Sequence, residues 1–107
     1  MGRSITLRIV ERLIAYNAEQ NAAHPERRRA YHLKKMYSIT PEDYDRMHVE
    51  QRGRCGICLE STKLVVDHDH ATGLVRGLLC RPCNRSIGQL GEDAVTLRRA
   101  ADWVSPT

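Results

Sequence analysis

Two pairs of cysteines constrain the fold of this chain more strongly than any other feature of its sequence. Each pair has the spacing C-x2-C, with Cys55 and Cys58 in the first pair, Cys80 and Cys83 in the second, and 21 residues between the pairs. Two turns with this spacing can bring four thiolates to one tetrahedral zinc ion, each sulfur about 2.3 Å from the metal. The sequence therefore predicts a zinc site formed by four cysteines, with room for one β-hairpin between the two pairs.

The composition explains why a chain of this size needs a metal ion to fold. Only 41% of its 107 residues are hydrophobic, and it contains one Trp and no Phe. A chain of about 100 residues buries only about 60–70% of its unfolded surface, so its apolar core contributes little stability. Because four sulfurs fill the coordination shell, we expect the zinc to stabilise the fold and to take no part in catalysis. The alternatives are two redox-active thiol pairs or four unliganded core cysteines.

Apolar periodicity and capping residues divide the chain into a helical first half and a mixed second half. They predict five helices, at residues 5–19, 25–37, 41–51, 84–90 and 93–104. Two short β-branched segments between the cysteine pairs predict a strand at 63–67 and a returning strand at 74–78. We therefore expect an α+β fold in two parts. A basic helical N-terminal arm covers residues 1–50, and a zinc-bound core with a short C-terminal helix covers residues 51–107.

A cluster of acids and imidazoles lies between the cysteine pairs, at Asp67-His68-Asp69-His70, and Asn84 follows the second pair directly. Because zinc would hold these two segments together, we expect Asp67 and Asn84 to be neighbours. A carboxylate and an amide oxygen suit Mg²⁺, and a neutral imidazole beside that ion can take a proton from water. A regular strand would place Asp67 and His68 on opposite faces, so their joint use requires a distorted strand end. The alternative is a solvated polar loop.

Four segments of the chain follow the pattern of one known family: Cys55-x2-Cys58, Val66-Asp67-His68-Asp69-His70, Arg76-Gly77-Leu78-Leu79-Cys80-x2-Cys83-Asn84 and Ile87-Gly88. Together they resemble the recombination endonuclease VII family, phage DNA endonucleases of the HNH, or His-Me finger (ββα-metal), superfamily. The resemblance covers about residues 36–91. It implies that the zinc-stabilised core is a small ββα-metal domain.

The same resemblance implies a role for the polar residues of the cluster. Asp67 and Asn84 would ligate a catalytic Mg²⁺ or Mn²⁺ ion, and His68 would be the general base that activates water. His70 would handle the substrate phosphate or the leaving group, and a hydrogen bond that orients the loop is its alternative role. The implied reaction is hydrolysis of DNA phosphodiester bonds by a one-metal mechanism, which leaves 5′-phosphate and 3′-hydroxyl ends. Asp69 has no implied catalytic role, and we expect it to orient the loop or to lie in solvent.

Basic side chains are candidate contacts to the DNA backbone, in a chain whose formal net charge is +4. Arg76, Arg81 and Arg85 lie near the predicted site. An upstream basic patch on the second predicted helix consists of Arg27, Arg28, Arg29, Lys34 and Lys35. Phosphate contacts carry no sequence information, so we expect weak sequence specificity, and nicking or a preference for branched DNA stays open. The alternative for the upstream patch is a solvated helix face.

Other functions fit parts of the sequence: a non-catalytic zinc-stabilised DNA-binding module, a structural adaptor that uses the helical arm, and a thiol redox protein. A homodimer is left open. The family's branch-resolving members build an intertwined dimer from a long region after the metal core, whereas only 23 residues follow Asn84 here. We therefore do not expect that dimer or junction resolution.

The sequence also gives expectations about where the chain acts. It has no apolar run of about 18–20 residues, so we expect no membrane span. It has no secretory signal, so we expect a cytoplasmic protein, located in the host cytoplasm if a phage encodes it.

Overall fold

The computed structural model of the chain describes residues 5–106, apart from the side chain of Asn21. Five α-helices and two β-strands follow one another in the order α1 (Ile5–Ala23), α2 (Pro25–Tyr37), α3 (Pro41–Glu50), β1 (Leu64–His68), β2 (Val75–Cys80), α4 (Arg81–Gln89) and α5 (Ala94–Val104). This content confirms the predicted α+β class and every predicted element. Within the described residues, no helix combines the length and the apolar character that a membrane span requires.

Two helix boundaries differ from the sequence-based expectation by more than one residue. Helix α1 continues to Ala23 rather than stopping at residue 19, because its last residues are mostly good helix formers and the first strong break is the residue before Pro25. Helix α4 begins at Arg81 rather than at Asn84, with Pro82 in its first turn, where a missing N–H costs nothing. The second cysteine pair therefore lies on the start of a helix.

The described chain forms two compact units, one that ends at Pro41 and one that begins at Glu42. In the first unit α1 and α2 contact each other. The apolar residues of α1 remain 44–63% exposed at Ile9, Val10, Leu13 and Ile14, whereas Leu33 of α2 is buried. Helix α3 lies in the second unit with the hairpin and the cysteines. The assignment of separate roles to an arm and a core stays a prediction.

The core of the second unit is the β-hairpin and the cysteine that precedes it. Buried apolar residues there are Cys55, Leu64, Val66, Leu78, Leu79 and Cys80. Each buried Leu or Val contributes roughly 1.5–3 kcal/mol relative to its exposed state, so this cluster is small for a free-standing domain. Helix α3 anchors to β1 through the hydroxyl of Tyr44, which donates to the carbonyl oxygen of Leu64 at 2.7 Å. Val49, near the end of α3, is 74% exposed.

Gln51, one residue past α3, fastens that helix end to the hairpin. Its Nε2 donates to the carbonyl oxygens of Leu78 at 2.8 Å and Arg54 at 2.9 Å, and its Oε1 accepts from the N–H of Leu78 at 2.8 Å. The side-chain amide thus bonds both backbone groups of Leu78, as a neighbouring strand would. The backbone of Gly77 lies so close to Gln51 that a Cβ there would be 3.0 Å from Oε1, and its φ is +153°.

We expect Gly77→Ala to lower the free energy of unfolding by about 1–3 kcal/mol, because the added methyl group meets Gln51 Oε1 at a strained φ. Gly88→Ala is the matched control: it lies inside α4 with open space at its Cβ position, and we expect a gain of about 0.5–1 kcal/mol. Urea unfolding of the metal-loaded proteins measures both. Equal stability of Gly77→Ala and the wild type would contradict the contact.

Candidate metal centre and active site

The four cysteines converge on one point at the open end of the hairpin. Their sulfur atoms all lie within 4.8 Å of one another, and the Sγ atoms of Cys58 and Cys80 are 3.8 Å apart. A tetrahedron of sulfurs about 2.3 Å from a zinc ion has edges of about 3.8 Å. Cys55 and Cys80 are buried and Cys58 is exposed, so the cluster lies at the edge of the core. The cysteines are positioned to bind a metal ion, and their spacing suits zinc.

The thiols are held in different electrostatic surroundings. Burial raises the pKa of Cys55, but backbone N–H groups of Cys80, Cys58 and Ile57 outweigh it and bring that pKa down to about 6. The N–H of Ile57, for example, donates to the Cys55 sulfur at 3.4 Å. Hydrogen bonding with the Cys80 thiol and burial raise the pKa of Cys83 to about 12. Four adjacent thiols cannot all ionise without a cation among them, and a bound divalent ion supplies that charge.

The other end of the hairpin carries a β-bulge. Asp67 pairs with Gly77, but the next residue of β1, His68, pairs with Val75, so Arg76 has no opposite residue. A bulge adds local twist and changes the direction of nearby side chains, which is common beside active sites. The distorted strand end that joint use of Asp67 and His68 requires is therefore present, and the extra residue lies on β2.

Asp67 is 5% exposed, and no other acidic or basic residue within 5–106 is buried. Arg76 holds it through two parallel hydrogen bonds, from Nε to Oδ2 at 2.7 Å and from Nη2 to Oδ1 at 3.0 Å. The hydrogen bond with Asp67 raises the pKa of Arg76. A carboxylate has about four lone-pair positions, and the two hydrogen bonds from Arg76 use two of them. The remaining lone pairs can coordinate a cation. Arg76 is thus bound to the predicted metal ligand, a contact that sequence reasoning did not find.

The two histidines of the cluster lie together. The ring centroids of His68 and His70 are 4.6 Å apart with the rings tilted by 43°, and His68 is half-buried at the end of β1. His70 Nδ1 is hydrogen-bonded to Oε1 of Glu92. Asp69 instead closes the loop, accepting from the N–H groups of Ala71 at 2.8 Å and Thr72 at 3.3 Å.

Glu92 is a member of the site that the sequence analysis missed. It lies in the turn between α4 and α5, and its Oε2 is 3.5 Å from Nη2 of Arg76. Burial raises the pKa of Glu92, but the hydrogen bonds with His70 and the charges of His70 and Arg76 bring it below its ordinary value. No local sequence signal distinguishes this residue. Glu92 precedes Asp93, the N-cap of α5, so the sequence predicts it to be an ordinary acidic residue at the start of a helix.

Asn84 lies in the first turn of α4 and is half-buried. Helix α4 contacts both β1 and β2, so the helix start that carries Asn84 and Cys83 belongs to the same small unit as Asp67. The sharing of one cation by Asp67 and Asn84 stays a prediction.

Arg76, one of the candidate DNA-contact residues, lies on β2, and the others are exposed on two helices. Arg81 and Arg85 lie on α4, and the upstream basic patch lies on α2, where Arg27, Arg28, Arg29, Lys34 and Lys35 are all exposed. The contacts of all these side chains with DNA stay predictions.

Comparison with known proteins identifies the family. The profile of the recombination endonuclease VII family matches residues 30–106, so the chain belongs to this family. The gene 59 protein of Mycobacterium phage D29 is 45% identical over 73 residues, and that of Mycobacterium phage L5 is 40% identical over 73 residues. Each match covers 64% of this chain and 44% of the relative, so the aligned region is less than half of either relative's length. No solved structure is significantly similar to the chain.

We expect the purified protein to contain about one zinc ion per chain, and Cys55→Ser to lose both the metal and the hairpin's cooperative unfolding. Binding of a structural zinc contributes about 10–16 kcal/mol in small domains, more than this apolar cluster can replace. Elemental analysis and thermal unfolding followed by circular dichroism measure the two effects. A metal-free protein with disulfides and unchanged stability would contradict the site and support thiol redox chemistry.

Proposed function

We propose that this chain is a DNA endonuclease that hydrolyses phosphodiester bonds with one Mg²⁺ or Mn²⁺ ion, as a His-Me finger. The observation that carries the proposal is the meeting of Asp67, His68 and His70 at the bulged end of a hairpin whose other end holds four cysteines. Membership of the recombination endonuclease VII family supports it independently.

The catalytic cation would be held by the carboxylate of Asp67 and the side-chain oxygen of Asn84. These are hard oxygen donors, which Mg²⁺ prefers, and two protein ligands leave positions for water and phosphate. When bound, the ion supplies positive charge to the phosphate and to the departing 3′ oxygen. Arg76 supports this role because its two hydrogen bonds fix the orientation of the Asp67 carboxylate.

His68 would accept the proton of the attacking water. The neutral form of an imidazole can accept a proton near neutral pH and release it again. Water oxygen then bonds to phosphorus, the bond from phosphorus to the 3′ oxygen breaks, and the 3′ oxygen takes up a proton. His70, whose ring lies beside that of His68, would bind the phosphate or assist the leaving oxygen.

The zinc-bound cysteines would act on this reaction through structure alone. Four sulfurs leave no coordination position for water, and the cysteines lie at the opposite end of the strands from His68. The metal therefore fixes β2 and the start of α4, and with them the positions of Asp67 and Asn84.

A second candidate function is a zinc-stabilised DNA-binding module without catalysis. The observation that favours it is the pairing of Asp67 with Arg76, because an engaged carboxylate attracts a cation less strongly than a free one. The two functions differ in whether Mg²⁺ produces cleavage, and they share the need for contacts to phosphate.

We expect purified protein to nick supercoiled plasmid when Mg²⁺ is added and His68→Ala to nick at least about 100-fold more slowly, since general-base catalysis contributes about 10²–10⁴-fold. His32→Ala, an exposed histidine of α2, is the matched control and should cleave like the wild type. Gel quantification of nicked circles over time measures the rates. Equal rates in wild type and His68→Ala would remove His68 as the base, and binding without cleavage would favour the second function.

We also expect the affinity for a short DNA duplex to depend on salt through the arginines of α4. Each lost phosphate contact lowers the slope of log Kd against log salt concentration by about 0.9. The double variant Arg81→Gln with Arg85→Gln should therefore have a slope that is lower by about 2. Arg98→Gln combined with Arg99→Gln, on α5, is the control of equal charge. Fluorescence anisotropy without added Mg²⁺ measures the slopes, and the same slope for both double variants would contradict the assignment of Arg81 and Arg85.

A further inference from the structure

Glu92 is held in a backbone conformation that its residue type disfavours. Its φ is +56°, directly after Gly91 at +75°, and its N–H donates to the carbonyl oxygen of Ile87 at 2.9 Å. The left-handed region is unfavourable for a residue with a Cβ, whereas glycine adopts it freely. The turn after α4 therefore supports a glutamate at a position where glycine is favoured by the backbone.

The side chain of Glu92 joins two parts of the proposed active site. One carboxylate oxygen bonds Nδ1 of His70, and the other lies 3.5 Å from the N–H of His70 and 3.5 Å from Nη2 of Arg76. Arg76 in turn holds Asp67. The side chain of Glu92 is 15% exposed and that of His70 is 71% exposed, so the carboxylate is shielded while the imidazole is open to a substrate.

We propose that Glu92 is a positioning residue that fixes the tautomer and orientation of His70, and this proposal rests on the nuclease function proposed above. A neutral imidazole that donates from Nδ1 to a carboxylate carries its free lone pair on Nε2. Nε2 is then the nitrogen that can take up a proton, after which its N–H can donate to a phosphate oxygen or give the proton to the departing 3′ oxygen while Nδ1–H stays bonded to Glu92. Through Arg76, the same carboxylate also restrains the guanidinium that holds Asp67.

The geometry of the loop explains why His70 needs this partner. His70 follows the bulge and the end of β1, in the loop closed by Asp69, so no strand pairing fixes its ring. An open cavity of about 250 Å³ lies beside it, lined by His70, Gly88, Gly91 and Glu92. The two glycines leave this space clear of side chains, and the carboxylate of Glu92 forms the side of the cavity to which the imidazole is hydrogen-bonded.

Nitrogen-15 NMR of the histidine rings tests the proposal without DNA. At pH 8, where an ordinary imidazole is neutral, we expect His70 of the wild type to be mainly the Nδ1–H tautomer. Glu92→Ala should convert it mainly to the Nε2–H tautomer, and Glu92→Gln, which keeps an acceptor oxygen of equal reach, should give an intermediate population. Asp102→Asn, an exposed carboxylate of α5, should change nothing. Comparison with a His70→Gln sample assigns the signal.

Cleavage kinetics give the second readout. We expect Glu92→Ala to lower kcat by about 10–100-fold, the range found when a partner that orients a metal-bound histidine is removed, with KM changed less than twofold. Glu92→Gln should recover part of kcat, and Asp102→Asn should match the wild type.

Two results would overturn the proposal: a wild-type His70 in the Nε2–H form, or a Glu92→Ala variant with unchanged tautomer and kcat. The first needs no Glu92 variant, so it decides the matter even if Glu92→Ala fails to fold. A wild type that never cleaves DNA would instead reject the nuclease function, while the tautomer of His70 would still show whether Glu92 orients it.

Discussion

Convergence of four sulfur atoms at the open end of one hairpin is the constraint on which the second unit depends. The sulfurs lie within 4.8 Å of one another, which is unfavourable for free thiolates and favourable for ligands of one divalent ion. The buried apolar cluster beside them is small, with two leucines on β2, a leucine and a valine on β1, and two of the cysteines themselves. A metal ion bound by these cysteines would replace the large core that a chain of this composition cannot build.

Polar contacts then fix the backbone of the hairpin between the cysteines and Asp67. The amide of Gln51 bonds both backbone groups of Leu78, which fixes α3 and the turn before Cys55 to β2. Beyond Leu78, the close approach at Gly77 and the bulge at Arg76 change the twist of β2 opposite Asp67. The end of the hairpin that carries Asp67 is thus shaped by hydrogen bonds rather than by packing.

At that end, charge neutralisation organises the proposed active site. Arg76 lies between two carboxylates, bound to Asp67 at 2.7 and 3.0 Å and 3.5 Å from Glu92, and Glu92 is also bonded to His70. A buried Asp67 without a partner would carry a large desolvation cost, and the hydrogen bonds from Arg76 offset that cost. Arg76, which the sequence suggested as a DNA contact, is therefore bound to Asp67 within the protein itself.

Local pattern alone was enough to determine the elements and the metal-binding cysteines, because C-x2-C turns, helix caps and β-branched runs act over a few residues. The Asp-His motif and the family also followed from short-range residue order. The network of Gln51, Arg76 and Glu92 did not, since each acts on a residue between nine and 27 positions away, as in the pairs Gln51–Leu78, Arg76–Asp67 and Glu92–His70. Such pairs form only when the hairpin closes and α4 turns back beside it. In the sequence, a polar residue of this kind at a helix end or in a strand looks the same as a solvent-exposed surface residue.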